Sequence, residues 1–351
     1  MPELAIETDS LPKLRYSRWS RKQVLAVDGV SLPVRRAVLG HFPEEGFLMR
    51  RFLPLALVML TGCGNKPGGK GTVLESSLEQ YIPGDTVILA GARIDRLLTT
   101  PLYKKLMSEQ KVNYLEEFSK KTGLNVQRDL KEFLLASNGK DTLMMARGNI
   151  ENASTLEGLL EKEGARRVPF GKYTLLAADK GAVVFVNHSI ALMGSVPLLR
   201  DVLSEKTADD TNRKAVLKKV ALLPQDKHIW AVAIGGFAPM PLPETGNLAN
   251  LARVFQSLET VTMTLDLKDG LSLAAYGLCA KEADARQLHD MLRGLIGFGR
   301  LSTPSDKPEM LRFFDSIRVE HTDRTVKLNA EVPMDMVDFF LRMTGPKRNA
   351  A

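Results

Sequence analysis

Two stretches of this chain run from an extended segment straight into a valine-proline step. Ile190-Ala191-Leu192-Met193-Gly194-Ser195 leads into Val196-Pro197, and Val326-Lys327-Leu328-Asn329-Ala330-Glu331 leads into Val332-Pro333. The constraint is steric. A residue before proline is pushed out of the helical region into an extended conformation, and proline itself suits the first helical position, where a missing N–H costs nothing. Each stretch therefore predicts a strand that stops abruptly and a helix that begins at once. A second local match pairs Ala146-Arg147-Gly148 with Ala275-Tyr276-Gly277, each ahead of a predicted helix. Together they predict an α+β chain of two tandem copies of a β-α-β-β-α-β-β-α module, with largely antiparallel sheets. The copies span 83–210 and 211–344, and 345–351 is a disordered tail. The alternative is two unrelated α+β halves with coincident junctions.

The intervening pattern fills in the elements. Asp85 to Ile94 reads as a strand, carrying Val87, Ile88 and Leu89. Leu97 to Glu109 and Val112 to Thr122 read as helices, the second closed by Gly123. Leu143 to Ala146 is a strand, and Ser154-x-x-Glu157 is a capping box ahead of Leu159 and Leu160. Hairpins are signalled at Asp179-Lys180-Gly181, at Asp269-Gly270 and at Thr322-Asp323-Arg324. Val216 to Leu223 and Asn247 to Leu258 read as helices, with His228 to Ile234 a strand between them. Ala285, Leu288, Leu292 and Leu295 form one inward helical stripe, and Val337, Phe340 and Leu341 another in the last helix.

Location is written elsewhere. Met49-Arg50-Arg51 gives a short positive start, and Phe52 to Met59 is an uncharged apolar run. That run fits the core of a secretory signal and is far short of the roughly 20 residues needed to span a bilayer. It ends in Leu60-Thr61-Gly62-Cys63. This stretch resembles the bacterial lipoprotein signal, whose lipobox is a branched apolar residue, a small residue, Gly or Ala, then Cys. All four positions match. The resemblance implies a diacylglyceryl thioether on Cys63, cleavage between Gly62 and Cys63, and acylation of the new amino group. It places the protein at the cell membrane or outer membrane, facing the periplasm or the exterior. Each buried CH₂ contributes about 0.8 kcal/mol, so two or three chains on one residue hold durably where one would not.

On this reading 49–62 is a signal peptide and 63–82 a tether and lead-in, the tether being the glycine-rich Gly64-Asn65-Lys66-Pro67-Gly68-Gly69-Lys70-Gly71. Residues 1–48 are expected to be a disordered extension absent from the mature protein. Arg35-Arg36-Ala37-Val38-Leu39 is similar to a twin-arginine signal, but Val34 stands where Ser or Thr is usual.

Composition bounds the partners. The 351 residues are 44% hydrophobic and 25% charged, ordinary for a folded chain. The net charge is +7, but residues 1–62 hold nine basic and six acidic residues and so carry three of those charges. The remainder is too weakly basic for a nucleic-acid reading. The second cysteine, Cys279, lies in an apolar run and reads as a small core residue.

Catalytic patterns are missing or fail on inspection. Gly64 to Thr72 lacks the Ser or Thr that must follow Gly-Lys in a phosphate-binding loop, since Gly71 follows Lys70. Gly294, Gly297 and Gly299 are not in dinucleotide-binding order. His188, His228, His289 and His321 have no metal-ligand spacing and read as surface or partly satisfied residues. Asp209-Asp210 and Asp335 with Asp338 read as structural acids, the latter pair near a helix start. Lys214, Lys218 and Lys219 read as a solvated helix face, with anionic headgroups the rival partner. Ala238-Pro239-Met240-Pro241-Leu242-Pro243 is a stiff apolar loop, lying on its own sheet or meeting a partner. No catalytic residue, cofactor or metal is expected. The chain reads as a lipid-anchored binding or scaffolding protein with a possible envelope partner. The alternative is an envelope hydrolase whose catalytic groups are dispersed.

Overall fold

A computed structural model describes residues 73–109, 119–120, 123–151, 153–179, 181–204, 209–235 and 257–344, and four short strands nearer the start. The chain divides into two compact units, Met1–Val58 and Met59–Ala351. In the first unit, β1 (Leu4–Ile6) pairs with β4 (Val34–Arg35), and β2 (Leu14–Tyr16) with β3 (Gln23–Leu25), all antiparallel.

The second unit is mixed helix and strand around a large antiparallel sheet. In order it contains α1 (Ser76–Glu79), β5 (Ile88–Arg93), α2 (Ile94–Leu97), α3 (Pro101–Glu109), α4 (Val126–Asp129), β6 (Leu130–Ser137) and β7 (Thr142–Gly148). Next come α5 (Ala153–Lys162), β8 (Arg166–Phe170), β9 (Tyr173–Ala178), β10 (Gly181–Asn187), β11 (Ile190–Gly194) and α6 (Val196–Leu203). The remainder is α7 (Thr211–Val220), β12 (Ile229–Ile234), β13 (Leu258–Asp266), β14 (Gly270–Cys279), α8 (Glu282–Leu301), α9 (Pro308–Ser316), β15 (Ile317–Thr322), β16 (Thr325–Pro333) and α10 (Met334–Thr344). Twelve strands form one sheet in the order β15-β16-β14-β13-β12-β5-β6-β7-β11-β10-β9-β8. Residues 83–210 and 211–344 thus share a sheet, joined where β12 pairs with β5.

The central strands are covered on both faces. Leu89, Trp230 and Val232 point into a core with Leu78, Leu199, Val216 and Val220, brought by α1, α6 and α7. Ala92 and Ile229 face the opposite way, toward Leu102, Met336 and Val337 from α3 and α10. A third cluster seats the first half of α8, through Ala285 and Leu288, on Leu258, Cys279 and Val326. Val73 and Leu74 are buried as well, so the lead-in is part of the core from residue 73 onward.

The turn and cap signals locate their elements well. Gly181 and Gly270 take positive φ at their hairpins, and Asp323 does so at the third turn. The Ser195 side chain accepts from the Leu198 N–H and caps α6, with proline in the first turn. Gly123 has φ 71° and donates to the Ser119 carbonyl, as a helix-closing glycine should. The helices read over 112–122 and 247–258 lie almost wholly outside the described residues.

Other readings are corrected. Ser154 is not a cap, because α5 already begins at Ala153. Its supposed box partner Glu157 instead pairs with Arg167 on β8 at 3.1 Å, and Glu161 joins the same guanidinium. β6, β8 and α9 have no counterpart in the sequence reading. The stripe on α8 ends early: Ala285 and Leu288 are buried, but Leu295 is 52% exposed. Twenty residues make a helix of about 30 Å, and its core contacts stop at Leu292. In α10, Val337 is buried as expected, while the side chains of Phe340 and Leu341 are outside those described.

At the sheet's centre Gly91 lies opposite Trp230, which is 1% exposed. A Cβ on Gly91 would sit 2.5 Å from the indole. Gly91→Ala is therefore expected to destabilise by about 1–3 kcal/mol through overpacking, measured by urea unfolding. A Trp230→Leu change, costly alone, should recover part of that loss in the double variant; purely additive costs would show that the two residues do not compete for space.

Candidate functional site

Three places in the second unit merit chemical scrutiny: two buried polar groups and one exposed helix face. The first polar group arises from strand register. Glu132 on β6 lies opposite Arg147 on β7. Its side chain, 1% exposed, accepts from Arg147 Nε at 3.1 Å and from the Glu75 backbone N–H at 3.3 Å. Burial pushes the Glu132 carboxyl above the usual glutamate range, against the opposing pull of Arg147. The arrangement ties the lead-in to the sheet and leaves both carboxylate oxygens occupied.

The second group stands where β12 starts and β13 ends. Ile229 pairs with Leu265, which brings Lys227 and His228 beside Asp266 and Leu267. Lys227 is 6% exposed, and its Nζ donates at 2.9 Å to both Asp226 and Asp266. Burial works to lower the lysine, but the two carboxylates outweigh it and hold Lys227 above its ordinary value. His228 is also buried; its Nδ1 accepts the Leu267 N–H at 3.1 Å and lies 3.3 Å from Asp266 Oδ1. One ring nitrogen cannot both accept from Leu267 and donate to Asp266, so the two contacts need different assignments of the proton on the ring. The His228 imidazole, and the Lys227 ammonium after it, hold the Asp266 carboxyl well below the usual carboxylate range despite its burial. Sequence reading singled out His228 but missed Lys227 and Asp266, which join it only through the long-range pairing of β12 with β13.

The third place is the outer end of α8. Leu295, Phe298 and Leu301 are 52%, 70% and 88% exposed. They recur every third residue, and at 100° per residue they fall on one side of the helix with Gly294 and Gly297. A Cβ on Gly294 or Gly297 would meet nothing within 4 Å. Gly299 faces the other way: a Cβ there would strike the Phe314 ring of α9 at 2.4 Å. The outward side is thus uncharged over its last two turns. An open hollow nearer the start of α8 is lined by Glu282, Ala283, Arg286, Gln287, Asp290 and Met291, all from this one helix.

The residues singled out from sequence are dispersed. Gly62, Cys63, the Gly64–Thr72 segment and Ala238–Pro243 lie outside the described residues. Asp209 accepts from the Thr211 N–H, and Asp210 pairs with Arg213 and Lys214 at the start of α7. Asp335 pairs with Arg312 at 3.0 Å, and Asp338 with Lys105. His188 is exposed. The His289 and His321 rings lie 4.7 Å apart, and His289 Nδ1 is 2.8 Å from Asp290. No cluster of three or more metal-ligating residues occurs among the described residues. Cys279 is buried, and burial pushes its thiol up.

No family model matches the chain, and no curated protein matches it. Solved structures similar to it are crystal forms of TP0453. Form I has 7% identity and a TM-score of 0.44, covering 77% of this chain and 98% of that one. Form III has 9% identity and 0.40 (76% and 93%), and form IV 6% and 0.42 (78% and 97%).

The buried Glu132 carboxyl and the partly buried Asp266 carboxyl should respond oppositely to pH. Asp266, depressed in the folded state, contributes stability above its unfolded value of about 3.9 and loses it as pH falls through the folded value. Asp266→Asn is expected to cost roughly 2 kcal/mol at neutral pH and to flatten the acid limb of urea midpoint against pH. Glu132, raised in the folded state, favours folding most below its unfolded value of about 4.3 and loses that advantage as pH rises through the folded value. Glu132→Gln should remove that decline. Parallel pH profiles for wild type and both variants would refute the assignments.

Proposed function

We propose that this chain is a cell-envelope lipoprotein, anchored through acyl chains on Cys63, that works by binding or scaffolding. The observation that carries the binding role is the outward apolar face of α8. A soluble surface rarely projects a phenylalanine and two leucines in one row without a use for them. The lipobox supplies the location, and cleavage before Cys63 would leave residues 1–48 out of the mature protein.

The same reading takes the folded part as two tandem copies of one module. Counting outward from the central pair, β5-β6-β7-β11-β10 is matched by β12-β13-β14-β16-β15. A helix follows the third strand in each half, α5 and α8, and another stands at each valine-proline step: α6 begins at Val196 itself, whereas Val332 and Pro333 close β16 and α10 begins at Met334. The β8–β9 hairpin and α9 are then insertions at the same point of the two copies.

The hydrolase reading draws on the Lys227–His228–Asp266 group. That group is occupied with its own neighbours, however, and among the described residues no hydroxyl or thiol is hydrogen-bonded to His228. An activated nucleophile needs such a partner, so binding is the better-supported role.

Expression of the full chain in a bacterial host with lipoprotein-processing enzymes tests the anchor. Wild type should lose everything before Cys63, gain the mass of its acyl chains and float with membranes. Cys63→Ala should remain uncleaved and unacylated. Equal masses and equal flotation for the two would overturn the anchor.

A further inference from the structure

We propose that the outer end of α8 enters the surface of a lipid bilayer, with Leu295, Phe298 and Leu301 dipping into the acyl-chain boundary. This deepens the binding role above by naming its partner. Three observations point to lipid. First, the side chains project rather than line a groove. Their exposure rises along the helix, from 52% at Leu295 to 88% at Leu301, and Ser302, Pro304, Ser305, Asp306 and Lys307 beyond them are exposed too. The feature is a protruding tip, which a fluid receives without complementary shape.

Second, the area is small. One phenylalanine and two leucines offer roughly a few hundred Å², whereas a stable protein interface takes about 800 Å² from each partner. A bilayer sets no such minimum, because each apolar group contributes separately. Third, the flanking charges suit headgroups. Arg293 and Arg300, seven residues apart, run along one border of the apolar side, and both are exposed. Arg300 pairs with Asp315 at 2.7 Å across two half-exposed side chains, a weak contact that a lipid phosphate can replace. Lys307 follows in the connecting loop, where Asp306, with Glu309 in the first turn of α9, outweighs it. Apolar contact is therefore the main driving force and anionic lipid a smaller aid. The two open glycines leave nothing bulky beside Phe298 to hold the backbone off the surface.

The test places an indole at the tip. The acylated full chain carrying Phe298→Trp is reconstituted into phosphatidylcholine vesicles, with and without phosphatidylglycerol. Brominated acyl chains serve as a contact quencher, and the spectrum of the otherwise identical wild type is subtracted. The expected result is a blue-shifted emission quenched by the brominated lipid, more strongly when phosphatidylglycerol is present. Adding Leu295→Ser and Leu301→Ser should abolish both effects. In the Cys63→Ala background with added vesicles, each leucine removed should weaken partitioning roughly tenfold.

An unquenched, water-like indole on a protein that still floats with its vesicles would overturn the tip and leave the anchor standing. Loss of flotation with quenching retained on added vesicles would do the reverse. A blue shift without lipid that grows with protein concentration would assign the face to a second copy. One independent of concentration would assign it to another segment of this chain. Either would overturn the proposal.

Discussion

The pairing of β12 with β5 holds the second unit together. Five consecutive residue pairs, from Ile229 opposite Ala92 to Ala233 opposite Ile88, join strands that lie far apart in sequence. The two strands are apolar on both faces, which is why helices must cover both sides. Their register is pinned by shape as well as by hydrogen bonds. Trp230 spreads its indole over the backbone of Gly91, and a slip of one residue would bring a methyl group there and turn every core side chain to the wrong face. Truncating such a buried aromatic costs about 3–5 kcal/mol, a large share of the stability of an ordinary domain. One glycine thus lets two halves close into a single sheet rather than stand as two bodies.

From that centre outward the hydrogen-bonded ladder continues to β15 on one side and β8 on the other. Both edges are guarded. β8 carries Pro169, whose missing N–H is tolerated at an edge, and Arg167 is tied down by Glu157 and Glu161 of α5. β15 turns Arg318 and Glu320 toward solvent. Charged and proline-bearing edges discourage strand-to-strand aggregation.

Turns were the most legible feature of the sequence, because their chemistry is local. Asp269-Gly270, Asp179-Lys180-Gly181 and Asp323 mark positive φ by residue type alone, and Ser195 with Pro197 marks a helix start in the same way. What escaped was non-local. β6 contains Lys131 and Glu132 amid its apolar residues, which breaks the local strand pattern; only Arg147 across the sheet makes Glu132 a core residue. β8 carries Arg166, Arg167 and Pro169, so it shows no apolar run that would mark it as a strand. Leu295 fitted the inward stripe of α8 by periodicity, yet periodicity cannot say where the surface beneath a helix ends. The Lys227–His228–Asp266 group was hidden for the same reason as Glu132: its members meet only once two strands have paired.

These buried charges bear on the choice between the two proposed roles. Lys227 and Asp266 satisfy each other, and Glu132 is engaged by a guanidinium and a backbone N–H. A catalytic carboxylate or lysine needs a free direction facing substrate, and neither group supplies one. On the proposed reading the folded body meets its partner through the outward apolar side of α8 instead. An acyl chain on Cys63 would confine that body to a thin layer beside the membrane. Such confinement raises the effective concentration of any second contact without adding to its intrinsic strength. On the proposal above, a tip that binds only modestly from free solution would then stay seated longer than its own three side chains could hold it.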